Sequence, residues 1–176
     1  VGQAEMLYSV PIFLQMETAQ DLQAMVDSHV STHPRRENSS GFFEILDWAA
    51  FRLVGDADRC NEIAKRWSHY RVPGDFSEPW HAVANYISGS ATAAETIDKT
   101  EGARFAQSYA HYIIAIDVLA RGDRESAKRH FRASLDLNFS NLVSYVWARI
   151  FLERLEDDPT WPPWVAVPSP TDLVDE

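Results

Sequence analysis

The first side chains in the sequence that could do chemistry are two histidines. His29 and His33 are four positions apart, so a helix would present both on one face, with Asp27 nearby. Imidazole and carboxylate groups are common metal ligands. No glutamate lies between the two histidines, which excludes the zinc-protease motif and its general base. Two ligands do not hold a structural or catalytic zinc, so we expect surface histidines and no metal.

Cys60 is the only thiol and therefore the only candidate for cysteine-based covalent catalysis. One cysteine forms neither an internal disulfide nor a thiolate cluster, and at a small-residue position of a helix it packs as an inert apolar group. The chain also lacks a G-x-S-x-G motif, a Walker loop, a dinucleotide-binding glycine pattern and kinase motifs. We therefore expect no catalytic residue, no cofactor and no enzymatic activity.

Length and charge narrow the class of protein further. The 176 residues suit one domain, and 16 basic against 26 acidic residues give a net charge of −10. Nucleic acids and anionic membranes attract basic faces, so neither is expected as a partner. The most apolar early stretch, YSVPIFLQM, is too short to cross a bilayer. We expect a cytoplasmic protein.

Three glycine-containing turns recur along the chain at a nearly constant interval. They stand in RLVGDADRCNEI, NYISGSATAAETI and VLARGDRESAKRHF, and the glycines are 34 and 33 residues apart. A small residue follows each glycine after five positions, namely Cys60, Ala94 and Ala127. Glycine tolerates the left-handed conformation that ends a helix, and the Asp or Ser after it can cap the next helix. The pattern predicts a repeated unit of helix, turn and helix.

This unit resembles the tetratricopeptide repeat, a helical hairpin with a period of 34 residues. The best copy is 108–141, whose second helix carries family-like residues at Ala127, Phe131, Ser134 and Leu135. His111 replaces the usual Trp, and Phe139 replaces the closing Pro. The resemblance covers roughly 41–158 and implies a short right-handed α-α superhelix.

The predicted fold is all-α, with about three to four helix-turn-helix units. Residues 1–158 form one domain, with an extra N-terminal helix, repeats near 41–74, 75–107 and 108–141, and a last helix at 142–158. Helices are expected near 11–31, 42–54, 57–69, 79–88, 91–99, 102–121, 124–137 and 141–156. Five prolines within twelve residues exclude a helix after Asp158. Residues 159–176 are therefore expected to form an extended capping tail that is anchored by Trp161 and Trp164 and has a disordered end.

The helix in RFAQSYAHYIIAIDVLARGD is apolar on two faces. One stripe has three- and four-residue steps and contains Phe105, Tyr109, Tyr112, Ile116 and Leu119. A helix that is apolar nearly all round must be covered by something. The cover is either the chain itself, through the 11–31 helix or the TWPPWV tail, or a partner in a concave groove. The predicted groove residues are Tyr109, Tyr112, Ile116, Val146 and Arg149.

Arginine is suited to a groove that binds a partner segment, because its guanidinium can donate two hydrogen bonds to one carboxylate. Arg149 and Arg154 lie near the predicted groove, but Glu153 and Glu156 stand beside them at helical spacings. Ordinary surface ion pairs are the favoured interpretation of these arginines.

The leading functional hypothesis is a non-catalytic scaffold that binds a protein or peptide segment in its groove. The DPTWPPW segment after the last helix resembles repeat regions at the ends of large bacterial signalling proteins, which implies a regulatory module. The alternative is a small-ligand sensor or enzyme with a pocket inside the stack, lined by Tyr109, Tyr112, His111 and Trp147. A homodimer formed through the apolar stripe also remains open.

Overall fold

The computed structural model describes residues 18–21, 24, 27, 42–69, 77–140 and 142–166. These ranges are helical without strands, which confirms the predicted all-α class. The helices are α1 (Phe42–Val54), α2 (Ala57–His69), α3 (Ser77–Ile87), α4 (Ala93–Thr100), α5 (Arg104–Ala120), α6 (Arg124–Asp136) and α7 (Val143–Asp157). Of the predicted 11–31 helix, residues 19–21, 24 and 27 are helical, whereas His29 and His33 lie outside the described residues.

The three predicted glycine turns have the same geometry. Gly55, Gly89 and Gly122 have φ angles of 78°, 75° and 84°, a region that side chains with a Cβ rarely adopt. Each glycine amide donates to the carbonyl three residues earlier, at 3.2, 2.9 and 2.8 Å. The next amide donates to the carbonyl five residues before it, at 2.9, 2.7 and 3.0 Å. This pair of bonds is the Schellman motif, and it confirms that the three glycines end first helices at equivalent positions.

Side-chain caps begin the second helix of each unit. Asp56 accepts a hydrogen bond from the Arg59 amide at 3.1 Å, and Asp123 accepts one from the Ser126 amide at 2.9 Å. In the middle unit the capping residue is Thr92, whereas the sequence prediction was the Ser after Gly89. Thr92 forms a reciprocal capping box with Glu95, and this box satisfies two backbone amides at once.

The small residue five positions past the glycine is buried in two of the three units. Cys60 and Ala127 are buried between paired helices, but Ala94 is exposed, so the packing expected at that position is wrong for the middle unit. Its second helix, α4, has only two turns and turns Thr96 and Thr100 inward instead. Their hydroxyls donate to the carbonyls four residues earlier, at 2.8 and 2.9 Å, which satisfies both groups without water.

Helix α5 is the centre of the packing. It contacts α1, α3, α4, α6 and α7. The three glycine turns join α1 to α2, α3 to α4 and α5 to α6, so the contact between α1 and α5 joins the first unit to the third. The repeats of a linear solenoid contact only their neighbours. The apolar surface of α5 is therefore covered from several sides by the chain's own helices.

The segment after α7 is anchored as predicted at its start. Trp161 is buried, with its ring centre 5.4 Å from that of Phe151, and the half-buried Trp164 donates from Nε1 to the Leu53 carbonyl at 3.2 Å. The Arg124 guanidinium at the start of α6 donates to tail carbonyls, including that of Val165 at 2.9 Å. The predicted disordered end falls on 167–176, outside the described residues.

Candidate ligand-binding cleft

The predicted groove residues of α5 lie in the hydrophobic core. Tyr109, Tyr112 and Ile116 are 4%, 1% and 0% exposed. The ring of Tyr109 packs 5.2 Å from Trp80, and that of Tyr112 lies 6.3 Å from Phe131. The proposed exposure of these three residues in a groove is corrected by the structure, because neighbouring helices cover the stripe.

The other two predicted groove residues lie on α7 and have different surroundings. Val146 is half-buried against the core. Arg149 is exposed, and its Nε lies 3.8 Å from the Glu153 carboxylate, one helical turn away. This is the surface ion pair that the sequence favoured. The five residues do not line one open surface.

The residues of the alternative pocket do not converge either. Trp147 is buried against Phe151, with ring centres 6.0 Å apart. His111 faces His130 of α6, and their Nδ1 atoms are 3.1 Å apart. None of the four residues proposed for a sensor pocket lines the cleft described below.

The two facing histidines share a single hydrogen, since one imidazole must donate and the other accept. Burial and then the neighbouring His130 lower the pKa of His111 to about 4. Burial and then Arg129 lower the pKa of His130, while Asp123 opposes that change. Both rings are therefore neutral at pH 7. If both were protonated, two positively charged N–H donors would face each other and repel.

The histidine pair predicts acid sensitivity. In the unfolded chain histidine titrates near 6.5, so acid protonates the unfolded state before the folded pair. Stability should therefore be fully present above about pH 6.5 and fall as the pH drops towards about 4. Urea unfolding across that range measures the effect. The variant with His111→Gln and His130→Gln should show a shallower decline, and an equal decline in both proteins would contradict this role.

An open cleft lies where several helix ends meet. It has a volume of about 690 Å³. The last turns of α1, α3 and α5 meet the first turns of α2 and α4 there. Trp48 and Ile87 supply apolar wall, and the exposed residues Asn61, Gly89 and Ala94 mark the opening.

One carboxylate organises the polar side of this cleft. Asp117 of α5 accepts from Arg52 Nε at 2.7 Å and from the Tyr86 hydroxyl at 2.8 Å. The Arg121 guanidinium lies 3.1 Å from its second oxygen. Burial, followed by the charge of Asp117, raises the pKa of Tyr86 well above its usual range, so the phenol stays protonated. Groups from three helices are thereby fixed around one anion.

The ionised side chains that line the cleft carry a small positive formal charge. Arg52, Arg121 and Asp117 line the cleft and together have a formal charge of +1, whereas the whole chain has a net charge of −10. Arg52 bonds Asp117 through Nε, and within the described ranges its two terminal nitrogens make no hydrogen bond. Its side chain is 33% exposed. A guanidinium edge with free donors suits a carboxylate or another planar anion.

The remaining titratable group of the cleft is not activated for chemistry. Burial raises the pKa of Cys60 to about 11, so the thiol is protonated at neutral pH. Its Sγ lies 3.8 Å from the Trp48 carbonyl, to which it can donate. Among the described residues no group of three or more His, Cys, Asp or Glu side chains could hold a metal ion.

Sequence reasoning did not find this site. One usable signal was Asp117, a lone charge inside the apolar run of α5. Another was the repeat register, because Arg52 and Tyr86 both stand three positions before the glycine of their unit. Equivalent positions in stacked units lie near each other, so two polar residues there indicate a shared polar partner.

Comparisons with known proteins give no relative. No family model, curated protein or solved structure matches the chain. No helix in the described part of the chain is long and apolar enough to cross a membrane.

Proposed function

We propose that this chain is a non-catalytic binding module of the tetratricopeptide type, and that it holds a carboxylate-bearing peptide segment of a partner protein in the Asp117 cleft. The repeat assignment is supported by three equivalent turns at intervals of 34 and 33 residues. The α1–α5 contact makes the array more closed than a linear superhelix.

The observation that carries the proposal is the geometry of Arg52. Asp117 engages its Nε, which orients the guanidinium and, within the described residues, leaves both terminal nitrogens for a ligand. Because the acceptor is a fixed side chain of another helix, Arg52 loses little further freedom when a ligand binds. Charged hydrogen bonds of this kind are stronger than neutral ones.

The shape and chemistry of the cleft favour binding over catalysis. Its volume of about 690 Å³ falls within the range of roughly 300–1,000 Å³ typical of ligand sites. Trp48 and Ile87 offer apolar contact beside the arginines. Cys60 and Tyr86 are protonated at neutral pH, and Asp117 accepts from Arg52 and Tyr86 and is ion-paired with Arg121, so none of these three groups offers a ligand a free nucleophile or base.

A peptide array tests this function. Each peptide is made twice, once with Asp and Glu and once with Asn and Gln at the same positions. The full chain should prefer the acidic forms, and Arg52→Gln should weaken that binding about tenfold, the equivalent of about 1.4 kcal/mol. The matched control is Arg132→Gln, an exposed arginine paired with Glu156 outside the cleft. Equal binding of acidic and amide peptides by the wild-type chain would refute the proposal.

A further inference from the structure

We infer that Asp117 is the specificity-determining residue of the cleft, which accepts a segment with one carboxylate beside apolar side chains and disfavours a second carboxylate. This inference rests on the proposed function and narrows its ligand from acidic segments in general to segments that place a single carboxylate in the cleft. A tract of acidic residues is then a poorer ligand than one acidic residue between apolar ones.

Both arginines of the cleft are already engaged by Asp117. Arg52 donates to one carboxylate oxygen through Nε at 2.7 Å, and the Arg121 guanidinium lies 3.1 Å from the other oxygen. Arg121 has a further interaction besides this ion pair. Within the described residues Arg52 keeps both terminal nitrogens for a ligand. Arg52 is therefore the cation that a ligand carboxylate meets, and its two nitrogens suit one carboxylate.

The formal charges of the cleft are balanced once one carboxylate has bound. Arg52, Arg121 and Asp117 together have a charge of +1, which a single carboxylate neutralises. A second carboxylate would give the cleft a net negative charge within a chain of −10. Like charges at such short range repel, so the second carboxylate weakens binding.

The charge of Asp117 is placed where a ligand experiences it. Its side chain is 17% exposed, against 33% for Arg52. Salt screens partly buried charges less than exposed ones. The Tyr86 hydroxyl donates to Asp117 at 2.8 Å, but a phenol is neutral and does not cancel the carboxylate charge. The repulsion of a second carboxylate therefore comes from a fixed residue of the site.

The apolar lining of the cleft completes the description of the ligand. Trp48, Ile87 and Ala93 line the same cleft as Arg52. Apolar side chains next to the bound carboxylate would bury against these residues and be removed from water. An acidic side chain in the same place would gain no such contact.

The test uses four acetylated and amidated pentapeptides that differ only in Asp and Asn. LNLNG has no carboxylate, LDLNG and LNLDG have one, and LDLDG has two. NMR titration of the ¹⁵N-labelled full chain measures their affinities, including weak ones. Wild type should bind a single-carboxylate peptide more tightly than LNLNG, and should bind LDLDG about threefold more weakly than the tighter single-carboxylate peptide at low salt.

Two variants should change this ratio in opposite directions. Asp117→Asn keeps the shape of the side chain and removes the repelling charge, so LDLDG should bind about threefold more tightly than the single-carboxylate peptides. Arg121→Gln removes a cation that compensates Asp117, so the penalty for the second carboxylate should exceed threefold. The matched control is Asp136→Asn, which removes an exposed acidic charge outside the cleft and should keep the wild-type ratio. Circular dichroism checks that each variant is folded.

The outcomes distinguish this inference from the proposed function. If wild type binds LDLDG at least as tightly as the single-carboxylate peptides, the inference is overturned and the cleft remains a carboxylate site. An unchanged ratio in Asp117→Asn, or the same change in Asp136→Asn, also overturns it. If Asp117→Asn does not fold, the ratio in Arg121→Gln decides, and an unchanged penalty there overturns the inference. If wild type does not distinguish the single-carboxylate peptides from LNLNG, the proposed function fails together with the inference.

Discussion

Replacing Trp161 with alanine is expected to lower the free energy of unfolding by about 3–5 kcal/mol, the range for truncating a large aromatic core residue. The indole is 1% exposed and packs against the rings of Phe151 and Trp164, with ring centres 5.4 and 6.4 Å away. Alanine would leave a cavity between α7 and the tail. Equilibrium unfolding in urea, followed by circular dichroism, measures the loss.

Trp164→Ala is the matched control, because Trp164 is half-buried and lies three residues further along the same segment. It should cost less than Trp161→Ala. A loss under about 1 kcal/mol for Trp161→Ala would show that the tail is a linker without a role in stability.

The second large effect is expected at Arg124, the buried cation that holds the tail. Its guanidinium is within hydrogen-bond distance of five main-chain carbonyls, those of Gly122, Thr160, Trp161, Pro162 and Val165. Removing it leaves several of these acceptors buried without a donor, at about 1–3 kcal/mol for each one that water cannot reach. Arg124→Ala should therefore destabilise the chain by about 3 kcal/mol or more.

Two further variants separate shape from charge at this position. Arg124→Lys keeps the positive charge but loses the planar fork, so it should recover only part of the stability. Arg132→Ala removes an exposed arginine of the same helix and should cost under about 1 kcal/mol. If Arg124→Lys matches wild type, charge alone holds the tail. Thermal melts of the four proteins at one pH compare them directly.

The sequence predicted local structure well, because local structure is encoded in short patterns. A glycine after an apolar run, followed directly by Asp and by a small side chain five positions past the glycine, specifies a turn and two helices within about 30 residues. Gly55 and Gly122 show this, and Ala127 is fully buried as that pattern requires. The all-α class follows from such units.

The site was not predicted, because its contacts join distant parts of the chain. Arg52 and Asp117 are 65 positions apart. Arg124 and the tail carbonyls it bonds are separated by 36 to 41. Periodicity reports which face of a helix is apolar, but it does not report which other helix covers that face. The groove assigned to Tyr112 failed for this reason, since Tyr112 is buried and packs on Phe131 of α6.

The contact between α1 and α5 also bears on how the molecule folds and evolves. In a linear array each unit adds stability through its neighbours, so folding propagates from any unit and the number of units can change. Here α1, the first helix of the first unit, packs both on its own partner α2 and on α5 of the third unit. Contacts this distant in sequence raise the contact order, so the barrier to folding includes closing a loop over the middle unit. The chain should therefore fold as one cooperative unit, and the contact between α1 and α5 sets the number of helix pairs. Duplicating or deleting a pair would disrupt this contact, whereas an open array would only become longer or shorter.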